Sequence, residues 1–221
     1  MLRRLLAFAA LLAWCEVLVV FRMARSGSPS YAFLTWNLIL ASVPFAAALL
    51  LETLDRRRRL PPLQWTAFVI WLLFLPNAPY IITDFLHLKQ RSGIPLWYDV
   101  LLLISCSGTG LLLGYASVMI VQRIVQHRFG RITGWVVAVF TLILSAYGIY
   151  LGRFLRFNSW EAFTDPMPLF YDIREHLLNP LAHPRTLGVT VLFGIALTLG
   201  YIALHVMVDA DSAAAADTSD A

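Results

Sequence analysis

The sequence predicts an all-α protein, a polytopic bundle of about six transmembrane helices. Three observations carry that prediction. First, 59% of the 221 residues are hydrophobic and 14% are charged, far from the balance of an ordinary soluble domain. Second, the apolar residues gather in runs of roughly 18 to 22, the length of helix that crosses a bilayer core. Third, the arginines stand in short segments between those runs, a pattern that records topology. The net charge of +4 and the pI near 9.3 therefore do not point to nucleic acid. The length implies one domain, residues 1–208, followed by a small, acidic, low-complexity segment, 209–221, expected to be disordered.

Taken in order, the first span covers Leu5 to Phe21, behind Arg3 and Arg4. A basic start and a short apolar run also describe a signal peptide. Trp14, however, is too bulky for the residue before a lipoprotein cysteine, so Leu12-Ala13-Trp14-Cys15 reads as an uncleaved helix. Arg22 to Tyr31, rich in Ser, Gly and Pro, is a polar linker. The second span is Ala32 to Leu51. Glu52 to Gln64 is a loop holding Arg56, Arg57, Arg58 and Arg59, then Pro61 and Pro62. The third span is Trp65 to Thr83, the fourth Val100 to Val121, the fifth Ile132 to Leu151 and the sixth Leu187 to Val208. Within the long loop from Gly152 to Thr186, Pro168 to Leu177 predicts a short amphipathic helix with the proline at its start. Leu169, Phe170, Ile173 and Leu177 would share a face suited to the membrane interface. Cys15 and Cys106 both lie inside apolar runs, which argues against a disulfide framework.

Six spans put both termini on one side. Arg3, Arg4, the four arginines at 56–59, Arg123, Arg128 and Arg131 share that side. Because a cluster in a short loop dominates orientation, both termini are expected in the cytoplasm.

The polar residues then fall into a pattern. Glu16, Asn37, Asn77, Asp84, Asp99, Arg153 and Arg156 come from five spans, and all reach the outer half of the membrane. Helix ends attract polar residues in any case, but Glu16, Asn37 and Asn77 lie within apolar runs, where polar groups are costly and functional. The third span is also broken. Pro76 and Pro79 cannot donate to the carbonyls of Leu72 and Leu75, and each disfavours helix at the residue before it. Asn77 can bond the freed backbone or cap the restarted helix. Such a restart would turn its positive end towards an anion. Beyond it, Tyr80, Asp84, His87 and Arg91 follow one helical face.

A second group is Gly152-Arg153-Phe154-Leu155-Arg156-Phe157-Asn158-Ser159-Trp160-Glu161. Two arginines three apart can grip one phosphate or carboxylate, although snorkelling with an aromatic belt explains the same pattern. Asp84 and His87 could ligate a metal only with help from Asp99 or Glu161, so no metal and no cofactor is expected. Gly110-x-x-x-Gly114 and Gly148-x-x-x-Gly152 are spacings for close helix packing. No phosphate loop, nucleotide fingerprint or nucleophile elbow occurs.

Asn37-Leu38-x-Leu40-Ala41-x-x-Pro44, Trp71-Leu72-x-Phe74-Leu75-Pro76-Asn77-Ala78-Pro79-Tyr80, Thr83-Asp84-x-x-His87-Leu88, Trp97-Tyr98-Asp99 and Gly152-Arg153-Phe154-Leu155-Arg156-x-Asn158-Ser159-Trp160 together resemble a family of bacterial membrane proteins, domain of unknown function 1361. The resemblance covers about residues 31 to 205, with Glu161 where the family would place aspartate. It implies a multi-span bacterial inner-membrane protein and no particular activity.

The residues themselves point to an outward-facing polar pocket for an anionic lipid or envelope-precursor headgroup. Its walls would be Asn77, Tyr80, Asp84, His87, Asp99, Arg153, Arg156 and Asn158. Three alternatives stand beside it. In a membrane-embedded enzyme, His87 would carry the proton, held by Asp84 or Asp99. In a small transporter, the broken helix would move. In a structural or assembly partner, the same groups would form an ion-pair network without a ligand.

Overall fold

The computed structural model describes residues 2–56, 61–89 and 93–217, with backbone alone over 211–217. Among these residues the chain is helical, with no strand. Six segments are long and apolar enough to cross a membrane. They are α1 (Leu2–Ser26), α2 (Phe33–Arg56), the composite Pro61–His87, α5 (Leu96–Phe129), α6 (Arg131–Phe154) and α9 (Pro184–Asp217). Within the third segment, α3 (Pro61–Phe74) is followed by α4 (Asn77–Tyr80) and a 3-10 helix, Ile81–His87. Between α6 and α9 lie α7 (Glu161–Thr164), α8 (Pro166–Leu178) and a 3-10 turn, Pro180–Ala182. Arg57, Arg58, Arg59 and Arg91, on which the orientation and one helical face drew, lie outside the described residues.

The helices outrun the apolar runs, and the reasons differ. In α1 the residues Cys15, Leu18, Val19 and Arg22 form one buried stripe at helical spacing. Arg22 is therefore an inward-facing helical residue, 2% exposed, where the sequence places a polar linker. In α9 the helical backbone passes Val208 and reaches Asp217 through Ala213 to Ala216, residues of the highest helix propensity. That stretch was expected to be a tail without structure.

Helix α5 is the axis of the bundle. It packs on α1, α2, α4, the 3-10 helix Ile81–His87 and α6; α3 lies against α2, and α9 against α6. Two glycine pairs explain how the proline-rich turn of the third segment fits between α5 and α6. A Cβ on Gly110 would lie 2.6 Å from the carbonyl oxygen of Ala78, and one on Gly114 would lie 3.0 Å from the Ala78 Cβ. From the other side, a Cβ on Gly148 would sit 2.5 Å from Pro76 Cγ, and one on Gly152 would sit 3.2 Å from the Tyr80 ring. Both small-residue spacings thus serve one purpose, which is to grip Pro76–Tyr80 at backbone distance.

Candidate functional site

The third segment turns at Leu75–Pro76 because prolines remove two donors. Its backbone bonds re-form around the gap: Ala78 N–H donates to Leu75 O at 3.2 Å and Tyr80 N–H to Pro76 O at 3.1 Å. Asn77 Nδ2 donates to the carbonyl of Phe74 at 3.0 Å and to Ser159 Oγ at 2.8 Å. The asparagine thus satisfies the end of α3 and ties it to the loop after α6. It does not cap the helix that follows, which has no side-chain cap. The four residues of α4 carry only a small share of a helix dipole, and with helical φ and ψ at Tyr80 and Ile81 they lead directly into the next element. The chain then tightens into 3-10 geometry, which aligns residues three apart. Asp84 and His87 consequently share an edge, but Tyr80 and Asp84 no longer follow a regular α-helical face.

Asp84 is buried, 1% exposed. Its Oδ1 accepts from Arg153 Nη2 at 2.6 Å and its Oδ2 from Asn37 Nδ2 at 2.8 Å. Arg153 also donates from Nε to Thr83 Oγ1 at 2.8 Å, and its guanidinium lies 4.9 Å from the centre of the Tyr80 ring. Thr83 Oγ1 in turn donates to Tyr80 O at 2.7 Å. Helices α2, α6 and the turn are thereby joined through one charge-assisted, fully partnered group, which is how a carboxylate is held at low cost in a membrane. His87 stands at the edge. Its Nδ1 is 3.8 Å from Asp84 Oδ1, beyond hydrogen-bond reach, and its ring lies 5.3 Å from that of Phe33.

Asp99 belongs elsewhere. It is held by Arg22 through two bonds, Nε to Oδ1 at 2.8 Å and Nη2 to Oδ2 at 3.2 Å, with both side chains 2% exposed. Arg22 also stacks on Tyr31 at 5.1 Å, and Tyr98 O–H donates to Leu18 O at 2.9 Å. This pair fastens α1 to the start of α5, so Asp99 is a joint between helices and not a wall of the expected pocket. Glu16 is likewise occupied, accepting from Thr35 Oγ1 at 2.9 Å.

A cavity of about 340 Å³ lies beside the turn of the third segment. Leu40, Leu72, Leu73, Leu144 and Leu151 give it apolar walls; Asn37, Asn77, Asn158, Ser159, Tyr80 and Tyr147 give it polar groups. Residues after α6 close it: Phe157, Asn158, Ser159, Ala162 and, from α8, Leu169 and Ile173. Phe170 and Leu177, grouped with those two by the sequence, point outwards at 59% and 75% exposure.

Of the expected walls, Asn77, Tyr80 and Asn158 line the cavity. Asp84 and Arg153 sit behind it, joined to it through Asn37 and Tyr80. Arg156 is exposed, has a positive φ of 64° and has no hydrogen-bond partner among the described residues. Asn158 donates from its backbone N and from Nδ2 to Glu161, at 2.9 and 3.1 Å. Those two donors hold the Glu161 carboxyl below the usual range. Arg22 and Tyr147 escape sequence reasoning as site residues, and Thr83 and Ser159 enter it only inside longer motifs, without a role of their own. Arg22 left a signal in its register with Cys15 and Leu18; Tyr147 left none. No three His, Cys, Asp or Glu side chains are grouped to hold a metal ion among the described residues.

The family model described as "Protein of unknown function (DUF1361)" matches residues 36–199. No curated protein and no solved structure matches the chain.

Proposed function

The chain belongs to this family of unknown function, DUF1361, and from that premise we propose that it is a bacterial inner-membrane protein that binds an amphiphile in the cavity beside its discontinuous third helix. The ligand is a lipid or envelope precursor with an anionic headgroup at the outer end of the bundle. Both termini face the cytoplasm, with Arg3, Arg4, Arg56, Arg123, Arg128 and Arg131 on that side.

One observation carries the reading: the cavity sets a wall of leucines, Leu40, Leu72, Leu73, Leu144 and Leu151, beside the amides and hydroxyls of Asn37, Asn77, Asn158, Ser159, Tyr80 and Tyr147. Its volume of about 340 Å³ falls in the range of small-molecule sites. Arg153 is held by Asp84 and Thr83, so of the two arginines expected at the walls it is Arg156, two residues from the wall residue Asn158, that has no hydrogen-bond partner among the described residues and is offered to an anionic group. Asp84, Arg153 and His87 support the wall from behind. A second reading is favoured by the full occupancy of both Asp84 oxygens and both Asp99 oxygens, which is what a structural partner without a ligand would also have.

The test is binding of a fluorescent single-chain anionic lipid to the intact protein in nanodiscs. Ala162→Trp fills the cavity from its outer side and is expected to weaken binding at least tenfold. Arg156→Gln is expected to cost about tenfold for an anionic probe, about 1.4 kcal/mol, and little for a zwitterionic one. Binding unchanged in Ala162→Trp would overturn the proposal in favour of the structural reading.

A further inference from the structure

The stretch from Arg156 to Leu178 forms one side of the cavity, and we infer that it is a strap that opens to admit the hydrocarbon chain of the amphiphile sideways from the lipid. The inference rests on the binding reading above.

The strap meets the bundle through a backbone bond from Phe157 N–H to Leu151 O at 3.1 Å, the His176 ring against Tyr147 and Tyr150, and a small set of side-chain hydrogen bonds. Two side-chain hydrogen bonds hold it among the described residues, Asn77 Nδ2 to Ser159 Oγ at 2.8 Å and the Tyr147 O–H with His176 Nδ1 at 3.0 Å. Neither α7 nor α8 has a buried residue, whereas each of the helices beneath, α2 and α6, buries a full stripe. An element with few buried contacts lies at the low-stability end of a fold. The strap begins at Arg156, whose left-handed φ of 64° is unfavourable for a side-chain-bearing residue and marks a point where the chain can redirect.

The entrance lies where Trp36, a wall of the cavity, meets the strap. Trp36 of α2 and Trp160 of the strap meet edge to face with ring centres 6.3 Å apart, and both are exposed at the flank of the bundle. Parting those rings connects the cavity to the acyl region. The outer face of the strap carries exposed Phe170, Tyr171, Leu177 and Leu178, so it rests in the interface whether raised or lowered. Opening therefore exchanges one apolar surrounding for another. The cavity, about 340 Å³ and bounded by residues that are all partly exposed, is of a size to take a single hydrocarbon chain.

The experiment places a thiol in the cavity by Leu144→Cys in the full-length protein in nanodiscs and follows its rate of reaction with N-ethylmaleimide; the native cysteines are buried. Releasing both latches with Tyr147→Phe and Ser159→Ala is expected to raise the rate at least tenfold. Arg156→Gly, which keeps both latches and frees the hinge, is expected to raise it at least threefold and serves if the double variant does not fold. Rates within twofold of the latched protein would overturn the strap. Release of a fluorescent zwitterionic single-chain lipid, whose binding does not depend on Arg156, is measured on the same proteins and is expected to accelerate in parallel. A lipid that binds but leaves every variant at one rate sinks the strap and spares the binding site. Faster labelling with no lipid bound keeps an opening strap and sinks the amphiphile.

Discussion

Removing Arg153 is the sharpest perturbation of the polar group behind the cavity. Arg153→Ala takes away the 2.6 Å bond to Asp84 and the 2.8 Å bond to Thr83, leaving Asp84 with Asn37 alone. Asp84 is 1% exposed, and stranding one member of a buried ion pair costs about 3–5 kcal/mol. The reverse change, Asp84→Ala, strands Arg153, but its side chain is 14% exposed and rests on Tyr80. Its guanidinium can turn to water, so the expected cost falls to about 1–3 kcal/mol. Replacing both by amides, Asp84→Asn with Arg153→Gln, retains hydrogen bonds without charge and is expected to remain within about 1.5 kcal/mol of wild type. The assay is reversible unfolding in mixed micelles with increasing SDS, and Arg153→Ala, Asp84→Ala and the two alanines together close a double-mutant cycle with an expected coupling of at least about 2 kcal/mol. Arg153→Ala costing under about 0.5 kcal/mol, the level of an ordinary surface substitution, would refute the reasoning.

The remaining predictions use the same logic elsewhere in the fold. Arg22→Ala is expected to destabilise by about 3–5 kcal/mol, and Arg22→Leu with Asp99→Leu to recover most of it, since an apolar pair needs no desolvated charge; SDS titration reads both. Gly110→Ala drives a Cβ to within 2.6 Å of a backbone carbonyl and is expected to cost about 1–3 kcal/mol. Gly188→Ala meets nothing within 4 Å, and equal costs at the two glycines would contradict the grip on the third segment. Glu161 gives a pH test. Its carboxyl is held below its ordinary value of 4.5 by Asn158, so the turn it closes is stable above that value and loosens as pH falls through the lowered one. Maleimide labelling behind the strap, compared at matched thiolate fraction, is therefore expected to stay flat from neutral pH to 4.5 and rise below it, and Glu161→Gln to abolish the rise.

The architecture was legible because membrane spans announce themselves through composition and length, and both glycine pairs showed by spacing where helices touch. The proline turn was legible because two missing donors demand an explanation, and Asn77 supplies one. Partner choice was not legible. Asp99 and Asp84 look alike in the sequence, yet one meets Arg22 and the other Arg153, because pairing depends on how α1 and α6 rotate against α5. Arg22 was misplaced because charge was taken to end a span, while its register continued one. The apolar walls of the cavity could not be foreseen either, since residues separated by more than a hundred positions, such as Leu40 and Ile173, line it.

The central claim is that the cavity beside the third segment holds an amphiphile. Native mass spectrometry of the intact protein, released directly from its own membranes, tests that most directly. One single-chain anionic amphiphile per protein chain, absent from the Ala162→Trp variant, is the expected result. A bare protein mass, or an amphiphile retained equally by the filled variant, would contradict the account.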